Sequence, residues 1–97
     1  MPLKIKWSPK SKATYLKILE YLEENWTHKE VKNFVEKTNK VLFLILKNPE
    51  MYPLSKKRNI HKCVLTKQIS FYYQVQEKEI TLVTFFDNRE NPEKHSP

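Results

Sequence analysis

The chain has 97 residues, which is the size of a single domain, and we treat residues 1–97 as one unit. Hydrophobic residues make up 39% of it and charged residues 30%, so it can build one modest core and is not typical of disordered chains. Its 18 lysines and arginines against 11 acidic residues give a formal charge of +7. This balance favours a polyanionic or acidic partner, although a solvated lysine-rich surface has the same composition.

Several functional classes are excluded by what the sequence lacks. It contains no glycine, which removes P-loops and Rossmann fingerprints, and its one cysteine, Cys63, forms neither an internal disulfide nor a cysteine cluster for a metal. We therefore expect no cofactor. The longest apolar run, residues 41–46, is far shorter than the roughly 20 residues that cross a bilayer. Because the first residues also lack a signal-peptide pattern, we expect a cytoplasmic protein that does not enter membranes.

The first elements are a short strand and a helix. Apolar and polar residues alternate over residues 3–7, which indicates a half-buried strand. Ser8-Pro9 is a favourable helix start, and we expect this helix to end near Asn25. Its predicted core stripe consists of Tyr15, Leu16, Leu19, Leu22 and Trp26.

A second helix follows almost at once. Thr27 and Glu30 match a capping box, and Asn48-Pro49 ends the helix because a residue before proline leaves the helical region. The predicted core stripe is Val31, Phe34, Val35, Thr38, Val41, Leu42 and Ile45. The two helices therefore form an antiparallel hairpin.

Three strands complete the pattern. Residues 50–59 are predicted to form a loop, residues 60–66, 68–76 and 80–86 to form strands, and residues 88–97 to form a polar, partly loose tail. The order β-α-α-β-β-β indicates an α+β fold in which the helical hairpin packs on one face of a small, mostly antiparallel sheet. The other face of the sheet is then free to carry a site.

Positive charges gather in one loop and the strand after it. They belong to Lys56, Lys57, Arg58, Lys62 and Lys67, and the segment between Glu50 and Glu77 contains no acidic residue. His61 lies among them, and Tyr72 on the next strand could supply a stacking surface. The pattern predicts a surface that contacts phosphates. The alternative is a solvated sheet edge whose lysines oppose aggregation.

Arg89 follows the last strand in a chain that has few arginines. This placement indicates a use for the planar guanidinium, which Asp87 could orient. The alternative is a surface ion pair or a turn that ends the strand. His61 and His95 are candidates for general acid–base work, although a lone histidine is more often structural.

Several motifs in fixed order resemble the RelE/ParE toxin superfamily, which includes plasmid-stabilisation proteins. The resemblance covers residues 3–92. Residues 5–9, 19–22 and 46–49 contribute to it. The main motif is residues 82–92, with the sequence Leu-Val-Thr-Phe-Phe-Asp-Asn-Arg-Glu-Asn-Pro. It implies a helical hairpin on a small antiparallel sheet. It also implies a growth-inhibiting toxin of a type II toxin–antitoxin system, neutralised by a cognate protein antitoxin.

The resemblance leaves two target classes open. RelE-like members cut mRNA on the ribosome, and ParE-like members poison DNA gyrase by binding. Lys62 and Arg89 match basic residues of the nuclease set, and His95 stands where some members have a tyrosine. Ser70 and Val64 stand where two further basic residues would lie.

The absence of these two basic residues, together with the ending of the 82–92 motif, favours a ParE-like poison. Such a poison would contact its target through Arg89, Asp87 and the basic patch of residues 56–67. If the chain is an enzyme, the resemblance implies a ribosome-dependent mRNA endoribonuclease that uses Arg89, Lys62 and His95. A degenerate toxin that only binds antitoxin is the third possibility. The sequence predicts no metal for any of the three.

Overall fold

A computed structural model of the chain describes residues 3–89. Its elements, in chain order, are β1 (Lys4–Trp7), α1 (Pro9–Asn25), α2 (His28–Lys47), β2 (Leu54–Ser55), β3 (Ile60–Val64), β4 (Ile69–Val75) and β5 (Glu79–Asp87). Neither helix in this range is long and apolar enough to cross a membrane.

Both helices begin and end where the sequence predicts. The Ser8 hydroxyl accepts a hydrogen bond from the Ser11 amide, and Pro9 occupies the first turn of α1. The capping box of α2 is complete, since the Thr27 hydroxyl accepts from the Glu30 amide and the Glu30 carboxylate accepts from the Thr27 amide. The helical hairpin therefore has its bend fixed by local hydrogen bonds.

The sheet has five strands in the order β1-β5-β4-β3-β2. β1 runs parallel to β5, and the other neighbouring pairs are antiparallel. The helices cover one face, where Phe71, Tyr73, Leu82 and Phe85 are buried. The α+β architecture predicted from the sequence is thus confirmed.

The structure adds one strand to the predicted order. Residues 50–59 contain β2, in which Leu54 and Ser55 pair with His61 and Ile60 of β3. A strand this short has too few residues for alternation to be visible, and Pro53 precedes it directly. The prediction of a plain loop was therefore wrong over these two residues.

Two residues of the core stripe predicted for α1 are exposed. Leu16 has 58% of its surface accessible, while Leu22 is buried and Tyr15 and Leu19 pack against the core. At 100° per residue Leu16 lies outside the stripe shared by these three side chains. Trp26, which follows the last helical residue, is also 37% exposed. The stripe of α2 is confirmed at Val31, Phe34, Thr38, Leu42 and Ile45, which are all buried.

A bulge in β5 joins the sheet to α1. Tyr72 and Tyr73 pair with Thr84 and Leu82, so one residue of β5 is left over between these pairs. The Phe85 amide near the bulge donates to the Thr14 hydroxyl of α1 at 3.0 Å, and that hydroxyl donates to the Lys10 carbonyl at 2.9 Å. The Thr14 hydroxyl of α1 thus accepts the hydrogen bond of the Phe85 amide beside the bulge.

Candidate functional site

The basic loop forms the tip of the β2–β3 hairpin. Lys56, Lys57 and Arg58 are all exposed there. The turn closes through hydrogen bonds from the Arg58 and Asn59 amides to the Ser55 carbonyl, and Asn59 has a positive φ of 54°. Asparagine tolerates this left-handed conformation better than most residues, so a chain without glycine can still make the turn.

Lys62 lies in the middle of β3, on the face of the sheet that the helices leave uncovered. We call this the open face and define it by Lys62, Tyr72 and Phe86. The Lys62 ammonium lies 5.7 Å from the centre of the Phe86 ring, and the Tyr72 and Phe86 ring centres are 4.9 Å apart. Phe86 is only 6% exposed, whereas Tyr72 is half-buried and Lys62 is exposed. Lys62 and Tyr72 can therefore contact the phosphate and the base of a nucleotide, or an acidic protein surface.

Lys67 lies in the turn after β3, at the far end from the hairpin tip. With about 3.3 Å per strand residue, the basic residues are spread along the whole length of β3. The predicted patch is therefore a stripe with one cluster at the tip, one lysine in the middle and one at the other end.

His61 does not belong to this stripe. It points to the opposite face from Lys62, is only 2% exposed, and stacks on Tyr73 with ring centres 4.8 Å apart. Its Nδ1 lies 2.8 Å from the Tyr52 carbonyl oxygen, and its Nε2 lies 3.4 Å from a Glu50 carboxylate oxygen. The ring thus connects β3 to the segment after α2. The alternation of His61 with Cys63 and Leu65 along the strand already signals an inward side chain.

The two tyrosines and the cysteine near His61 are held in their neutral forms. Burial raises the pKa of Cys63 to about 11 and that of Tyr52 to about 12, and it also raises the pKa of Tyr73. The Tyr73 hydroxyl donates to the Pro49 carbonyl at 2.8 Å. A thiol with a raised pKa is a poor nucleophile, so Cys63 is a core residue.

The Asp87 carboxylate orients Arg89, and the same geometry fits the alternative of a surface ion pair and a turn that ends the strand. The Asp87 carboxylate accepts hydrogen bonds from the Arg89 Nε at 3.1 Å and from its Nη2 at 2.7 Å, and it also accepts from the Arg89 amide at 2.8 Å. Hydrogen bonds to Asp87, then to Tyr21 of α1, raise the pKa of the guanidinium above its ordinary value. Arg89 is therefore fixed on the helix side of the sheet, with 59% of its side chain exposed.

Asn88, between these two residues, turns to the other side. Its Oδ1 accepts from the Ser70 hydroxyl at 2.6 Å, and its amide nitrogen donates to the Lys67 carbonyl at 3.2 Å. These bonds fix the end of β5 to the β3–β4 turn. Sequence reasoning missed this role of Ser70, although the change from strand to turn residues near Asp87-Asn88 marks the place.

The structure thus separates the candidate catalytic residues. Lys62 lies on the open face, whereas Arg89 lies on the helix-covered side, because Asp87 shares the face of Ile69 and Phe85. The third candidate, His95, is outside the described residues. Within residues 3–89, no three His, Cys, Asp or Glu side chains are placed to hold a metal ion.

A groove of about 540 Å³ lies beside Arg89, between α1 and the adjoining ends of β4 and β5. Its apolar lining consists of Ile18, Leu22, Ile69, Phe85 and Phe86. Its rim includes Lys10, Thr14, Lys17, Tyr21, Gln68, Asp87 and Arg89. The sequence does not indicate this groove, because its parts come from distant segments that only the fold brings together.

The fold is shared with solved toxin–antitoxin structures. A chain of the chromosomal ParDE system from P. aeruginosa superposes with a TM-score of 0.73 at 15% identity, covering 89% of this chain and 96% of that one. A YoeB/ParE toxin from Agrobacterium tumefaciens gives 0.60 at 16% identity, with 89% and 99% covered. A chain of the heterotetrameric YoeB–YefM complex from Staphylococcus aureus gives 0.58 at 18% identity, with 93% and 100% covered.

No protein-family model matches the sequence, and no curated protein matches it significantly. The structural likeness therefore rests on the arrangement of the whole chain. It confirms the fold that the sequence motifs imply: this protein has the architecture of the RelE/ParE toxins.

Proposed function

We propose that this protein is the toxin of a type II toxin–antitoxin pair and that it inhibits growth by binding its target, DNA gyrase. The fold is that of solved ParDE and YoeB chains, and the motif over residues 82–92 resembles the ParE-like branch. In this proposal the protein acts in the cytoplasm, where gyrase acts.

One observation favours binding over RNA cleavage. Lys62 and Arg89, the two described residues that match the nuclease set, lie on opposite sides of the sheet. Groups that transfer a proton or stabilise charge in one reaction must lie within about 3 Å of the same reacting atoms. The sheet between these two side chains argues against a single reaction centre that contains both, which supports a contact role for them.

We assign the target contact to the open face and the basic stripe. Lys56, Lys57 and Arg58 at the hairpin tip, with Lys62, Lys67 and Tyr72 along the sheet, offer charge and one aromatic ring. Such a surface can steer an anionic target and contact it without bond breaking. Asp87 and Arg89 face away from this surface, so they are not part of the proposed target contact.

The second partner is a cognate antitoxin. A neighbour of this fold is a YoeB–YefM toxin–antitoxin heterotetramer, and a chain with a formal charge of +7 suits an acidic segment. An antitoxin segment that becomes ordered on binding would cover the toxin and inactivate it.

The test is a pair of assays on the same purified protein. We expect inhibition of supercoiling by gyrase, and intact mRNA when primer extension follows a reconstituted translation reaction. Codon-phased cuts that require ribosomes, and that disappear in Arg89→Ala or Lys62→Ala, would replace this proposal with the RelE-like nuclease. If a preparation that arrests growth shows neither activity, gyrase is excluded as the target.

A further inference from the structure

We propose that the edge of β3 between Lys62 and Thr66 is a docking site for an extended, acidic segment of the target protein, which adds to the sheet as a further strand. The inference rests on the proposed function and deepens it, since it names the chemistry of the target contact. Unpaired backbone groups, positive charges and an exposed apolar side chain meet at this edge.

The pairing of β2 with β3 stops at Pro53. The Lys62 amide donates to the Pro53 carbonyl at 3.0 Å, but proline has no N–H to return a bond to the Lys62 carbonyl. The chain before Pro53 passes to the helix side, where the Tyr52 carbonyl oxygen lies 2.8 Å from Nδ1 of buried His61. β2 therefore covers only the first part of the β3 edge.

Val64 directs its backbone N–H and C=O to the uncovered part of this edge. The amide of Leu65, directly after β3, donates to the Ile69 carbonyl at 3.0 Å. Because alternate residues of an antiparallel pair direct these groups to opposite sides, those of Val64 point away from β4. No residue within 3–89 pairs with them. The Lys62 carbonyl and the two Val64 groups thus form a row that an added strand can satisfy.

The charges beside this edge select an acidic segment. Lys62 and Lys67 are exposed at its two ends, and the sequence between Glu50 and Glu77 contains no acidic residue. Since the two lysines are five positions apart, they lie at most about 18 Å from each other, which an extended segment of about six residues spans. Carboxylates of such a segment meet a cation at each end.

The apolar surface on the open-face side of the edge selects a protein over a nucleic acid. Val64 is 57% exposed between the two lysines, and its methyl groups bury apolar side chains but do not stack nucleobases. Of the two rings on the open face, Phe86 is only 6% exposed and Tyr72 is half-buried. The described part of this face therefore offers no row of exposed rings for successive bases.

A pocket of about 250 Å³ lies on the helix side, between α2 and the Thr66 end of the same edge. Trp26 and Phe34 supply apolar walls, and Lys37 lies beside them. The acidic residue of the lining, Glu30, is engaged in the capping box of α2. Because side chains of an added strand alternate between the two faces of the sheet, every second one faces this pocket. Valine towards the pocket and glutamate towards the open face fit this arrangement.

The probe is an eight-residue fluorescent peptide of alternating valine and glutamate. One control peptide carries N-methyl groups on its interior backbone nitrogens, which removes strand hydrogen bonds and keeps the side chains. Another control has lysine for every glutamate, and a single-stranded oligothymidylate of equal charge tests nucleic acid. Fluorescence anisotropy measures binding to the full chain and to two variants that each lose two positive charges. The edge variant carries Lys62→Ala and Lys67→Ala, and the matched control carries Lys12→Ala and Lys78→Ala, both exposed elsewhere.

We expect the acidic peptide to bind the wild-type chain. Its affinity should fall about tenfold for the edge variant and less than about twofold for the control variant, and N-methylation should weaken it about tenfold. Amide hydrogen exchange gives a readout that needs no substitution. The Val64 amide should exchange rapidly in the free chain, while the Leu65 amide is protected, and the acidic peptide should protect Val64 as well.

Competition connects this edge to the target. In a gyrase supercoiling assay inhibited by the wild-type chain, saturating acidic peptide should restore supercoiling and the N-methylated peptide should not. A peptide that protects the Val64 amide but leaves the inhibition unchanged would assign the edge to a partner other than the target.

Four further results would overturn the inference. These are a protected Val64 amide in the free chain, equal binding of the N-methylated peptide, equal weakening by both variants, and tighter binding of the oligothymidylate at this edge. Protection of the Val64 amide that increases with protein concentration would assign the edge to a second copy instead. If the wild-type chain leaves gyrase active, the proposed function fails by itself, while exchange and anisotropy still decide whether an acidic strand docks here.

Discussion

At the scale of single residues, the hydroxyl of half-buried Thr14 on α1 bonds to a strand far away in sequence. It accepts the hydrogen bond of the Phe85 amide beside the β5 bulge. Replacement by valine keeps the shape but leaves a buried amide without an acceptor, which costs about 1–3 kcal/mol. We expect Thr14→Val to lower the free energy of unfolding by that amount in urea titrations.

Thr14→Ser is the matched control, because serine keeps the hydroxyl and loses only a methyl group. It should retain most of the stability that Thr14→Val loses. Equal losses in the two variants would show that the methyl group matters and the hydrogen bond does not.

Because of Cys63, we expect the free energy of unfolding to change with pH in the alkaline range. The thiol has an ordinary pKa of 9.0 in an unfolded chain, and burial raises it to about 11 in the fold. Between these values the unfolded chain binds fewer protons than the folded one, so the free energy of unfolding falls as pH rises. Below pH 9 this contribution is constant.

We expect the loss attributable to Cys63 between pH 9 and pH 11 to be about 2 kcal/mol, measured by urea unfolding at each pH. Tyr52, whose pKa burial raises to about 12, extends the decline to higher pH. Cys63→Ala should show a shallower decline than the wild-type chain. Parallel curves for the two proteins would contradict the assignment to this thiol.

Some side-chain environments could be predicted from the sequence, and others could not. The inward phase of Cys63 and the orientation of Arg89 by Asp87 follow from strand alternation and a two-residue spacing, and both are confirmed. The contact of Thr14 with Phe85 joins residues 71 positions apart in sequence. Local patterns carry no signal for such a pair.

At the scale of elements, a part-buried hydrogen bond joins the two helices. The Tyr15 hydroxyl of α1 donates to the Thr38 hydroxyl of α2 at 2.9 Å, and Thr38 donates to the Phe34 carbonyl. Burial raises the pKa of Tyr15 above its ordinary value, so the hydroxyl stays protonated further into the alkaline range. The bond therefore fixes the position of one helix along the other.

A double-mutant cycle with Tyr15→Phe and Thr38→Val measures this connection. We expect a coupling energy of about 1 kcal/mol, since a neutral hydrogen bond contributes about that much. Urea unfolding of the wild type, the two single variants and the double variant gives the value. A coupling near zero would mean that the helices are held by apolar packing alone.

Elements with strong local signals were predictable, and elements defined by pairing were not. The capping box and Asn48-Pro49 fix the ends of α2, and alternation identifies β4. The two residues of β2 become a strand only because β3 lies beside them, and the parallel pairing of β1 with β5 joins distant parts of the chain. Pairing partners of this kind depend on the whole fold.

At the scale of the molecule, the sheet separates two surfaces of different chemistry. The open face carries Lys62 beside Tyr72, and the groove on the helix side carries Arg89. Phe86 lies between them, since its ring is near Tyr72 and it also lines the groove. The basic patch could be predicted from the sequence. The side of the sheet on which each basic side chain lies at the strand ends could not. The proposed target contact uses the open face, and Arg89 lies away from it.

The most direct test of this account is growth arrest after induction in cells, compared for the wild-type chain, Lys62→Glu and Lys78→Glu. Lys78 is exposed in the turn between β4 and β5, so its reversal has the same effect on net charge and serves as the control. With folding verified by circular dichroism, we expect arrest by the wild type and Lys78→Glu and loss of arrest in Lys62→Glu. Arrest of equal strength by Lys62→Glu would contradict the role of the open face.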